Sequence, residues 1–120
     1  MTPPGIRRQW RWFRAPGAET SVAKEEFDAL PVHGRAALID VMRRWATGDA
    51  MPREVKKLKG TDLWELRVNV GNDPFRLVFF PDSPVHDIAV LAVYKNQDKL
   101  PKRDLDTALR RMATWRAGGS

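Results

Sequence analysis

The stretch from Leu63 to Asn96, LWELRVNVGNDPFRLVFFPDSPVHDIAVLAVYKN, limits the possible folds more than any other part of the chain. Its first segment, Leu63 to Val70, alternates Trp64, Leu66, Val68 and Val70 with Glu65, Arg67 and Asn69, the period of a strand with two unlike faces. Gly71, Asn72, Asp73 and Pro74 then supply turn chemistry: glycine tolerates positive φ, Asn and Asp bond their own backbone, and proline stops a helix. Phe75 to Phe80 is aromatic and branched and predicts a returning strand. Pro81 to Pro84 make a second turn, and Ile88 to Tyr94 is an almost unbroken apolar run, as for a strand covered on both faces. Loops this short imply an antiparallel meander.

The charges on this meander carry the functional signal. With the turn near Asn72, Arg67 and Arg76 lie at similar distances from it, so they are expected to be cross-strand neighbours. Two like charges facing each other repel unless they meet water, a carboxylate or an anion. Glu65 and Asp73 are the nearest candidate carboxylates, and Lys95 adds a third cation at the end of the last strand. The three together suggest a phosphate-binding face.

Composition sharpens this. The chain has 120 residues, enough for one domain with a real core and no staples. Twenty-one Lys and Arg against 15 Asp and Glu give a net charge of +6, which favours nucleic acid, an anionic membrane or an acidic partner protein. No apolar run approaches membrane-spanning length, the N-terminus lacks a signal-peptide core, and there is no Cys, so a cytoplasmic location is expected. Two His, His33 and His86, with no metal-ligand spacing, predict neither metal nor cofactor.

The rest of the chain reads in order. Met1 to Gly5 and residues 117–120 are expected to be flexible ends of a single domain spanning 1–120. Ile6 to Arg14 (IRRQWRWFR) predicts a strand that joins the sheet at its edge or pairs with the last meander strand. Its Trp10 and Trp12 suit either a core or stacking on RNA bases, with the core favoured. Ser21 can cap a helix over Val22 to Leu30, which Pro31 ends. A second helix is predicted from about Gly34 to Ala46, with Ala37, Leu38, Val41, Met42 and Trp45 inward and Gly48 as its stop. The two helices are expected to pack together and onto the sheet. Met51 to Gly60 reads as a basic connector whose Lys56, Lys57 and Lys59 either lie in solvent or extend the phosphate-binding face. After Pro101, the spacing of Leu105, Ala108, Leu109, Met112 and Trp115 predicts a C-terminal helix with Lys102, Arg103, Arg110, Arg111 and Arg116 mostly outward.

The ordered set KKLKG, LWELRVNV, PFRLVFF, IAVLAVYKNQDKLP and DLDTALRRM resembles the phage-derived branch of the RelE/HigB family, the toxins of bacterial type II toxin–antitoxin systems, over roughly residues 20 to 116. The resemblance implies an α+β, RelE/ParE-like fold: two N-terminal helices on a mainly antiparallel sheet, in the order β-α-α-β-β-β-α. It also implies ribosome-dependent, metal-independent mRNA cleavage, no membrane partner, and a cognate antitoxin, expected to be a helix-turn-helix protein. In such cleavage the RNA 2′-hydroxyl attacks the adjacent phosphate, so a proton must leave, another must reach the departing oxygen, and extra phosphate charge must be stabilised. By motif, the resemblance makes Arg67, Arg76 and Lys95 the catalytic set. Arg67 and Arg76 would bind the scissile phosphate, and Lys95 would neutralise charge or help protonate the leaving group. Lys56, Lys57, Lys59 and Arg103 are expected to bind RNA. The chain departs from the family pattern at Leu63 and Glu65, where relatives often carry lysines, and at Asn96, where a second cation is usual. Glu65 suits either a general base or a salt-bridge partner. The alternatives are a non-catalytic basic binding module, a degenerate phage or prophage accessory protein, and a gyrase-targeting ParE-like toxin. Convergence of the cations in one exposed site would favour the nuclease, and an arginine tied to a carboxylate would favour a structural role.

Overall fold

The computed structural model describes residues 7–94 and 99–118. The elements run β1 (Gln9–Trp12), α1 (Val22–Asp28), α2 (Val32–Thr47), a 3-10 turn (Pro52–Glu54), β2 (Val55–Lys57), β3 (Trp64–Val70), β4 (Asp73–Pro81), β5 (His86–Tyr94) and α3 (Lys102–Arg116). The five strands form one sheet in the order β1-β5-β4-β3-β2. The meander β3-β4-β5 is antiparallel, as the turn residues predict, with Gly71 at φ +63° in the first turn. β1 does both things the sequence allows: it pairs with β5, in parallel, and it forms the sheet edge.

The fold has one more strand than the sequence suggests. Within the stretch expected to be a connector, Val55, Lys56 and Lys57 pair antiparallel with Leu66, Glu65 and Trp64. Three residues with two adjacent lysines carry too short a pattern to register as a strand; the partner strand supplies the order.

Alternation along β4 divides the core in two. Phe75, Leu77 and Phe79 belong to one cluster with Phe27 and Leu30 of α1 and Leu38, Val41 and Met42 of α2. Val78 and Phe80 belong to a second cluster with Leu63, Ile88, Ala108 and Met112, the last two from α3. Phe79 is fully buried and packs edge-on against Trp10 at 4.8 Å and Trp45 at 5.4 Å. The tryptophans of β1 are therefore partly buried and pack against the core, while Arg11 between them is exposed.

The helices follow their caps. The Ser21 hydroxyl accepts from the Lys24 amide at 3.0 Å and donates to the Phe13 carbonyl. Pro31 ends α1 and takes the N-cap position of α2, and Gly48 closes α2 at φ +82°. The close seat of α2 on the sheet depends on Gly34: a Cβ there would fall 2.4 Å from the Phe75 ring. The two helices meet chiefly through the shared cluster. α1 straddles the β5 edge beyond the end of β1, with Ala23 in one cluster and Phe27 in the other. There Glu26 accepts from the Ala92 amide at 3.4 Å, and Arg111 donates to the Val90 carbonyl at 2.8 Å. Arg111 also grips Glu26 with two bonds of 2.9 Å, tying α3 to α1 across a strand edge that would otherwise invite pairing.

A second polar knot fixes the other end of β5. Asp87, fully buried, accepts from Arg8 Nε at 2.6 Å, Arg8 Nη2 at 2.7 Å and Trp45 Nε1 at 2.8 Å. Arg8 also donates to the carbonyls of Ser83, Pro84 and His86. The knot joins β1, α2 and the β4–β5 turn. No helix among the described residues is long and apolar enough to cross a membrane.

Candidate functional site

The residues that interrupt the α3-side cluster are charged, and they come from three adjacent strands. Arg67 of β3 lies directly opposite Arg76 of β4, the cross-strand neighbourhood expected from their distances to the turn. Glu65, two residues back on β3, alternates onto the same side, and Lys56 of β2 is its partner in register. Three cations thus surround one carboxylate.

Burial sets the chemistry of this group. Arg76 has no exposed surface and Glu65 only 4%. Glu65 Oε2 lies 3.7 Å from Arg76 Nε, close enough for an ion pair but too far for a hydrogen bond. A guanidinium stays charged even when buried, whereas a carboxylate can take up a proton instead. Loss of water pushes the Glu65 pKa up, while Arg76, Arg67 and Lys56 pull it down, and the loss of water dominates. Arg76 is therefore held in a low-dielectric setting beside a carboxylate, while Arg67 opposite it stays half-buried.

Arg67 is half-buried and, at the uncovered edge of β3, borders a cleft of about 570 Å³ that lies beside α2. The cleft exists because β2 begins only at Val55, opposite Leu66, and leaves the outer edge of β3 beyond it without a β2 partner. Asp40 and Arg44 of α2 form one wall, Arg53 and Glu54 of the 3-10 turn another, and Asn69 extends the β3 side. Arg44 holds Glu54 with two bonds, one of them 3.1 Å from Nε to Oε1, and Glu54 Oε1 also accepts from the Met51 amide at 2.9 Å. This grip holds Glu54 below the usual carboxylate range and raises Arg44.

The other expected site residues are scattered. Lys95 falls outside the described residues. Lys56 stands in the charged group, through Glu65. Lys57 and Lys59 are exposed toward the β2–β3 turn, Lys57 bordering a shallow depression with Asp62 and Met112. Arg103 is exposed in the first turn of α3. His33 packs edge-on against Phe75 and lies 3.7 Å from Asp73, while His86 Nδ1 is 3.1 Å from Ser83 Oγ. Among the described residues no group of three or more His, Asp or Glu could hold a metal.

Sequence reasoning did not single out the cleft walls. Arg44 falls off the apolar stripe of α2, which marks it as outward but not as a neighbour of Arg67. That proximity depends on β2 beginning only at Val55, opposite Leu66, and nothing local to Arg53 or Asn69 signals it.

Comparison with known proteins completes the picture. Residues 25–113 match the family model described as Phage derived protein Gp49-like (DUF891). Two relatives from Mycobacterium tuberculosis, strains CDC 1551 and H37Rv, are each named Probable endoribonuclease HigB1. Each is 42% identical over 113 residues, covering 94% of this chain and 89% of the relative. With the strand order and this match in agreement, the chain belongs to the phage-derived Gp49-like family, a family of HigB/RelE-type toxins.

Proposed function

We propose that this chain is the toxin of a type II toxin–antitoxin pair and an endoribonuclease that cuts mRNA on the ribosome without a metal. The observation that carries this reading is the 42% identity, over nearly the whole chain, to relatives named Probable endoribonuclease HigB1. The charged group on β3 and β4 supports it, because transfer of a phosphate between oxygens needs concentrated positive charge more than it needs a nucleophilic side chain.

In this reading Arg67 touches the scissile phosphate, and Arg76 adds its charge from beneath. The half-buried position of Arg67 and the full burial of Arg76 support that division of work. Glu65 holds Arg76 in place, and Lys95 neutralises charge on the leaving side or helps protonate the departing oxygen. Lys56, Lys57, Lys59 and Arg103 contribute a general attraction for RNA that salt weakens. The partner that restrains the toxin is a cognate antitoxin.

The ion pair between Arg76 and Glu65 favours one other reading, a basic binding module of the same fold in which Arg76 serves structure alone. Induced expression in bacteria, wild type against Arg67→Ala, with mapping of mRNA 5′ ends, separates the two. A nuclease gives growth arrest with new cuts inside translated messages, and Arg67→Ala loses both by at least tenfold. Arrest without new cuts would leave the binding module, and cuts undiminished in Arg67→Ala would remove that arginine from the mechanism.

A further inference from the structure

The cleft that Arg67 borders holds more polar groups than its own ion pair uses. Arg44 and Glu54 are bonded to each other and form a fixed wall. Two further charged side chains line the same cleft, Asp40 of α2 and Arg53 of the 3-10 turn, and both are exposed. Arg44 feels Asp40 and Glu54 feels Arg53 through space. Yet among the described residues neither Asp40 nor Arg53 closes an ion pair.

The third side of the cleft is backbone. Leu58 donates its amide to the Leu63 carbonyl at 2.9 Å, and Pro74, which has no N–H, stands opposite Asn69. Both facts set the same alternation: Leu63, Glu65, Arg67 and Asn69 turn their peptide groups away from β4. Pairing with β2 reaches only to Leu66, so the Asn69 amide and carbonyl point across the open edge where Asn69 borders the cleft. Ala37 and Val68 add apolar surface among these polar groups.

Apolar surface with separate donors and acceptors around it suits a flat heterocycle. Charge keeps a phosphate away from Asp40. Among the RNA bases only guanine presents two adjacent N–H donors, at N1 and N2, with the acceptors O6 and N7 beyond them. A carboxylate accepts from both donors, and an arginine is the commonest donor to O6 and N7. Adenine sets an acceptor, N1, where Asp40 needs a donor, and each pyrimidine offers a single donor group. We infer that the cleft between α2 and the uncovered β3 edge is a guanine-binding pocket that selects the nucleotide beside the scissile phosphate. Asp40 accepts from N1 and N2, Arg53 donates to O6 and N7, and Arg67 at the mouth holds that nucleotide's phosphate. The inference rests on the nuclease reading for its place in the reaction, but the pocket itself is testable without cleavage.

The probes are guanosine 3′,5′-bisphosphate and its adenosine counterpart, titrated into the full chain and followed by the NMR shifts of backbone amides. The guanosine form should bind at least tenfold more tightly and shift the amides of Asp40, Arg53 and Asn69. Asp40→Asn changes an exposed side chain, so this variant should unfold at the wild-type temperature. It puts a donor in place of one acceptor and should lower guanosine affinity at least tenfold while leaving adenosine affinity as it is. Arg53→Gln should lower guanosine affinity in the same direction by a smaller factor. Equal affinities in wild type, shifts confined to other surfaces, or wild-type discrimination in Asp40→Asn would each overturn the inference. In mapped mRNA 5′ ends, cuts beside guanine should fall at least tenfold in Asp40→Asn relative to all other cuts, and an unchanged base preference would overturn the selecting role. If wild type makes no cuts while the discrimination between the two bisphosphates stands, the nuclease reading fails and the guanine pocket is kept.

Discussion

The two faces of the same three strands are built by opposite rules. Toward α2, β4 presents Phe75, Leu77 and Phe79, all fully buried, and β3 presents Leu66 and the partly buried Val68. Toward α3 the alternate residues begin with Arg76 and, on β3, with Glu65 and Arg67, before the face turns apolar at Val78 and Phe80. One face gains stability from every residue. The other gives up part of its apolar area to bury a guanidinium and a carboxylate, an exchange that seldom adds stability over well-packed apolar residues of the same size. Departures from a consistent apolar pattern concentrate where function requires them. The difference between the faces is thus the strongest structural argument that the charged group works on a ligand.

The apolar face should give the largest effect when broken. Phe79→Ala removes a ring held between two tryptophans and should cost about 3–5 kcal/mol, read as a lower midpoint in urea unfolding. A loss under about 1 kcal/mol would mean that Trp10 and Trp45 close over the gap and that this face is less tightly packed than its burial indicates.

The charged face should respond differently to one change and to two. Arg76→Met leaves Glu65 buried without its ion pair and should cost about 3 kcal/mol. Glu65→Leu combined with Arg76→Met should recover most of that stability, since a well-packed apolar pair often matches a buried ion pair. The double variant should nonetheless fail to arrest growth. If it folds stably and still arrests growth, the charged group serves neither stability nor toxicity, and the contrast between the faces loses its functional meaning.

The sequence showed each of these faces to a different degree. The meander, its turns and the opposition of Arg67 and Arg76 follow from alternation and from distance to Gly71, which are local properties. The helices follow from caps and stripes, at Ser21 and Gly48 above all. What escaped is set by distant partners. β2 is strand only because β3 lies beside it, and the cleft around Arg67 opens only because β2 begins at Val55, opposite Leu66. Asp87 sits at the start of an apolar run and reads as a boundary residue, yet it is fully buried because Arg8 and Trp45, far away in sequence, satisfy it. The expectation that an arginine of the site would be exposed failed for Arg76 in the same way: strand alternation predicts which side it faces, but the cover over that side comes from the rest of the fold.

The smallest effect compares two glutamates. Glu65 has a raised pKa because burial strips its water, so protonation favours the folded state. Its contribution to stability is full below the unfolded value and is lost as pH rises through the folded one. Glu54 has a lowered pKa because Arg44 bonds it, so its contribution is present above the unfolded value and is lost as pH falls through the folded one. With unfolded carboxylates near pH 4.3, the stability of wild type relative to Glu65→Gln should fall as pH rises above that value, and relative to Glu54→Gln it should fall as pH drops below it. Thermal unfolding of the three proteins on both sides of that value gives both differences. Two curves of the same sign would mean that Arg76, Arg67 and Lys56 outweigh burial at Glu65. The charged face would then be as well solvated, in effect, as the Arg44 pair at the surface, and its arginines would hold no special strength toward a phosphate.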